Sequence, residues 1–130
     1  MASELRVTTI ANNAGTESVN TTYVVNGSAK VWVNFNGTGT IAARDSLNVG
    51  SLTDNGTGDY TVNFSNSMGN VNYCSSFHAT ANTNFNNFQS YAVEEGTAAT
   101  SSIRVGTNPE RQSAREDVQF VHVSTLGDLA

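Results

Sequence analysis

The stretch Ala29-Lys30-Val31-Trp32-Val33-Asn34-Phe35-Asn36-Gly37-Thr38-Gly39-Thr40-Ile41-Ala42-Ala43-Arg44 decides the fold class. Ala29, Val31, Val33 and Phe35 alternate with Lys30, Trp32 and Asn34. That is the period of a strand with one face buried. Asn36-Gly37 then supplies the strongest short hairpin signal, because both residues tolerate positive φ. Thr40 to Arg44 is the expected return strand. Trp32 falls on the face opposite Val31, Val33 and Phe35, which puts it either in a second packed layer or at a subunit contact and makes it a candidate interface anchor.

The same grammar continues downstream. Leu47, Val49 and Leu52 carry a broken apolar pattern. Asp54-Asn55-Gly56-Thr57-Gly58-Asp59 reads as a second turn. Tyr60, Val62 and Phe64 alternate with Thr61 and Asn63. Val71, Tyr73, Ser75 and Phe77 form another alternating face, followed by an expected strand from Phe85 to Val93. Ser101–Val105 and Val118–Ser124 complete the set, separated by a polar loop that holds the single proline, Pro109. About seven or eight short strands, with a turn roughly every ten residues, predict an all-β fold. The reading is an antiparallel β-sandwich, jelly-roll-like, over residues 29–130. Greek-key and jelly-roll connections remain open at this level.

Upstream, residues 1–28 differ. Leu5 to Ile10 forms a short extended segment broken by Asn12-Asn13-Ala14-Gly15. Thr16 is the expected cap of a short helix carrying Val19 and Tyr23 on one face and ending at Gly27. The region is too short to form its own core, so it reads as an arm for docking or oligomerisation, with Leu5, Val7 and Ile10 as its contact candidates.

Composition narrows the function classes. Only 13% of the 130 residues are charged and the net charge is −5. Disorder usually needs low hydrophobicity together with high net charge, so the strand patterns prevail. Lys30 is the single lysine, and no basic patch interleaves with aromatics, so no nucleic-acid partner is expected. The N-terminal residues lack the apolar run of a signal peptide, and no segment approaches the ~20 apolar residues that span a bilayer. Membrane insertion is therefore not expected.

The chemistry-bearing residues do not assemble into a motif. Cys74 is the single cysteine and reads as a small buried hydrophobe. Cys74 and His78 on one strand would lie roughly 13 Å apart, too far for a hydrogen-bonded dyad. His78 and His122 show no zinc-ligand spacing, so no metal or other cofactor is expected. Asp45, Asp54 and Asp59 lack the pattern of a calcium loop. No catalytic residue emerges, and the chain reads as a non-enzyme. Phe85, Phe88 and Tyr91 mix with amides in Phe85-Asn86-Asn87-Phe88-Gln89-Ser90-Tyr91. Such a surface can stack on sugars, which makes them recognition candidates, although an ordinary strand with a core face explains them as well.

Two runs carry a resemblance. Ala29 to Val49, with its Trp32-Val33-Asn34-Phe35, Gly37-Thr38-Gly39 and Arg44-Asp45-Ser46, resembles a segment recurrent in tail-fibre-like and other virion proteins of marine bacteriophages. Leu52 to Phe64, with Thr53-Asp54-Asn55-Gly56-Thr57-Gly58-Asp59, is similar to the segment that follows it there. Leu5 to Ile10 looks like the opening of those proteins. The resemblance covers about the first two-thirds of the chain. It implies a homotrimeric fibre or appendage subunit, made in the host cytoplasm and exposed on the particle as a tail fibre or tail tip, with other virion proteins and a host surface glycan or receptor as partners. A head fibre or capsid decoration protein, and a carbohydrate-binding module, are the alternatives.

Overall fold

The computed structural model describes residues 3–80, 88–89, 98–107 and 115–130. Ten strands and one helix occupy them: β1 (Thr9–Ala11), β2 (Ser18–Asn20), α1 (Thr21–Gly27), β3 (Ala29–Asn36), β4 (Ala42–Leu47), β5 (Val49–Gly56), β6 (Asp59–Phe64), β7 (Cys74–Thr80), β8 (Phe88–Gln89), β9 (Ser102–Gly106) and β10 (Phe120–Leu126). From β3 onward they form two antiparallel sheets, ordered β4-β3-β10-β7-β8 and β5-β6-β9. The fold is the expected all-β sandwich.

Period two explains which residues meet between the sheets. Val31, Val33 and Phe35 from β3 and Val121 and Val123 from β10 are buried against Tyr60 and Val62 from β6 and Ile103 and Val105 from β9. Phe77, Leu52 and Tyr73 pack at the margin of this cluster. The Phe35 ring meets Tyr60 edge-on, with centroids 5.3 Å apart, so one aromatic from each sheet interlocks at the centre.

Two local expectations are corrected, and the broken pattern around Leu47 and Val49 is explained. β3 and β4 pair as the expected antiparallel hairpin, but the positive φ does not fall on Asn36-Gly37. β3 ends at Asn36 and β4 starts at Ala42, and the positive φ falls on Gly39. Gly37 serves close approach instead: a Cβ there would lie 2.7 Å from both the Tyr60 hydroxyl and the Val118 carbonyl. The break after Leu47 is a sharp corner at Asn48, whose φ is 57°. Asn tolerates that conformation, and its side chain is tied to Asn66, accepting from the backbone N–H at 2.7 Å. The chain there leaves one sheet for the other. In the arm, the helix starts at Thr21 with Asn20 as its cap, the Asn20 side chain accepting from the Thr22 N–H at 2.8 Å. Val19 sits in β2, where β-branched residues are favoured. Among the described residues the extended segment pairs at Thr9–Ala11 alone, with β2.

The buried Tyr60 hydroxyl lies 2.7 Å from the Gly37 carbonyl and 2.9 Å from an Asp117 carboxylate oxygen, two acceptors for one donor. Burial, reinforced by the Asp117 carboxylate, pushes the phenol well above its ordinary range and keeps it protonated. Tyr60→Phe leaves those acceptors without this donor. The expected loss is about 1–2 kcal/mol, measured by urea unfolding.

Candidate functional site

The face of the five-stranded sheet turned away from the core carries the polar and aromatic side chains of β3, β4, β7 and β10. Antiparallel register lines them up in two rows. Leu47, Trp32, Ser124 and Ser76 are neighbours in one row; Asp45, Asn34, His122 and His78 form the next. Trp32, Asn34, His122 and Ser124 are half-buried, while Ser76 and His78 are exposed. Together with Val33, Phe77 and Val123 beneath them, they line a shallow groove of about 350 Å³. A bulge at Arg44 breaks the β3–β4 register and aims that side chain across the sheet. The Arg44 guanidinium lies 4.3 Å above the Phe120 ring and donates to the Asn34 side-chain oxygen at 3.2 Å and to the Gln119 carbonyl at 2.8 Å. The His78 and His122 rings are 6.1 Å apart. Partial burial, with His78 and Arg44 nearby, holds the His122 imidazole below its ordinary pKa.

A second polar cluster ties the loops at one end of the sandwich. Asp59, at the start of β6, is 6% exposed and accepts hydrogen bonds from Arg104 and Arg115. The Arg104 hydrogen bond holds its carboxyl below the usual range against the opposing effect of burial, with the charges of both guanidiniums adding to it. Asp59 is therefore a structural anchor and not a free turn acid. Asp54 likewise serves its own turn, accepting from the Gly56 N–H at 2.9 Å. Among the described residues no three His, Cys, Asp or Glu side chains gather to hold a metal ion.

The candidates named from the sequence are dispersed. Trp32 faces outward as expected and lines the β3 side of the groove, whose middle strand is β10. Leu5, Val7 and Ile10 lie on the arm, all exposed, Leu5 by 84%. Phe85 and Tyr91 lie outside the described residues. Phe88 belongs to β8, which pairs with β7 through Thr80↔Phe88. Cys74 is exposed and not a buried hydrophobe: it shares strand parity with Ser76 and His78 on the outer face, while Ser75, Phe77 and Ala79 turn inward. The sheet brings together His78 and His122, which no sequence spacing linked. Their parity against Phe77, Val121 and Val123 was a legible signal that both face outward.

The arm presents the other exposed apolar surface. No residue of α1 is buried, and among the described residues β1 and β2 pair only with each other. Val7, Ile10, Val19, Tyr23, Val24 and Val25 are all exposed, Tyr23 by 75% and Val25 by 56%. No helix among the described residues is long and apolar enough to cross a membrane. Compared with known protein families, curated proteins and solved structures, the chain matches none.

Proposed function

We propose that this protein is a non-enzymatic structural subunit of a bacteriophage particle, a homotrimeric fibre or appendage module whose N-terminal arm docks on sister subunits and on other virion proteins. The observation that carries this reading is the arm. A two-stranded hairpin and a seven-residue helix are each marginal in water on their own. Yet this arm leaves its large apolar side chains in solvent, and contiguous exposed apolar surface marks an interaction site. The sequence resemblance to virion proteins supplies the class of partner.

Light scattering on the full chain tests it. The expected native mass is about three times the 13.7 kDa subunit. Paired Val24→Asp and Val25→Asp substitutions on α1 are expected to shift the protein to monomer while the β-domain keeps its fold. A wild-type mass of one subunit overturns the trimer and favours the alternative of a head fibre or decoration protein that takes its symmetry from the particle.

The groove around Trp32 favours a second reading, contact with a host-surface glycan or receptor. The indole on β3, with Asn34, Ser124 and His122 nearby and Ser76 and His78 across the groove on β7, offers stacking together with hydrogen-bond donors and acceptors. Trp32→Ala is expected to abolish glycan-array or host-cell binding while the protein keeps its β fold by circular dichroism, with a moderate loss of stability because the indole is half-buried. Equal binding by wild type and variant rejects this site.

A further inference from the structure

We propose that His78 and His122 form a two-imidazole binding site for a divalent transition-metal ion of the Zn²⁺ or Ni²⁺ class. The two residues are register partners on the adjacent antiparallel strands β7 and β10, and both point to the outer face. Cross-strand partners hold their Cβ atoms about 4.5–5.5 Å apart, so the backbone fixes the spacing before any metal arrives. Neither imidazole makes a hydrogen bond to another described residue, leaving ring nitrogens of both available. The rings are 6.1 Å apart between centroids and inclined at 54°, not stacked flat. Metal–nitrogen bonds of about 2.0–2.1 Å in tetrahedral geometry place two imidazole centroids roughly 5 Å apart. The rings therefore need to close by only about 1 Å, within reach of small side-chain torsions.

The chemistry of the donors selects the ion. Imidazole suits zinc, nickel and copper, whereas calcium and magnesium require oxygen ligands. The remaining coordination positions open onto the groove, where water completes the shell. Asn34 occupies the same row beyond His122, with its oxygen already accepting from Arg44. The Arg44 charge opposes a bound cation, so the affinity is modest and the site suits reversible binding. This inference does not depend on the particle-subunit reading, because it rests on one chain's own strand register.

Isothermal titration of NiCl₂ or ZnCl₂ into the untagged full chain tests the site. A Cys74→Ser background is used, because that exposed thiol lies on the same strand and face and would bind these metals by itself. One ion per chain is expected, with affinity falling by about tenfold or more in His78→Asn and in His122→Asn. Paramagnetic broadening by Ni²⁺ in amide NMR spectra of the unsubstituted site gives an independent map, expected to centre on β7 and β10. Absence of binding at millimolar ion, unchanged affinity in both variants, or broadening centred elsewhere overturns the proposal.

Discussion

Phe35→Ala is expected to destabilise the protein by about 3–5 kcal/mol, a large share of the roughly 5–15 kcal/mol that holds a typical domain together. Phe35 is 0% exposed and is among the largest side chains fully buried between the sheets. Its ring contacts Tyr60 of the opposite sheet edge-on, so truncation opens a cavity and also removes an aromatic pair. Strands on both sides are held by backbone ladders, to β4 and β10 on one sheet and to β5 and β9 on the other. They cannot collapse freely into the space, which puts the cost towards the upper end. Urea unfolding at fixed protein concentration measures it, with a lower midpoint at unchanged slope. Leu47→Ala, on the outer face of the same sheet and 48% exposed, is the control and is expected to cost less than about 1 kcal/mol. Equal losses for the two would mean that the sheets do not pack through Phe35.

Asp59→Ala carries the second large effect, roughly 2–4 kcal/mol. Removing one partner of a buried charge cluster usually costs about 3–5 kcal/mol, because the remaining charges lose their counter-ion. Here the two guanidiniums keep side-chain exposures of 37% and 29%, so water compensates part of the loss. The substitution also removes a tie between strands: Asp59 opens β6, Arg104 lies on β9, and Arg115 precedes β10. The folded carboxyl titrates below its unfolded value. Its stabilisation is therefore fully present above about pH 4 and is lost as pH falls through the folded pKa. Unfolding free energy followed from pH 6 to pH 2 is expected to drop in wild type and to drop less in Asp59→Asn. Parallel pH profiles for the two proteins would show that the ion cluster contributes nothing to folding.

Much of the sandwich was legible because strand alternation is a local property. Val31, Val33 and Phe35, then Tyr60, Val62 and Phe64, then Ile103 and Val105, take the inner face by parity alone, and each is buried between the sheets. Parity also placed Trp32 outward. The same local reasoning fell short where two signals competed. Asn36-Gly37 carries hairpin chemistry, yet Gly37 is needed where Tyr60 and Val118 approach. The arm's β-branched residues pulled Val19 into a strand and delayed the helix to Thr21, with Asn20 as its cap.

By itself, then, the sequence determined the strand class and the inward faces, because side-chain periodicity is written residue by residue. Only the tertiary structure decided which strands are neighbours. β3 pairs with β10 from the far end of the chain, and β10 with β7. That non-local pairing sets His122 beside His78 and Trp32 beside Ser124. Within the second sheet, the pairing of β6 with β9 brings Arg104 onto Asp59, which turns a turn-like acid into a buried anchor. These contacts depend on strand order and register, and no spacing along the chain encodes either one locally.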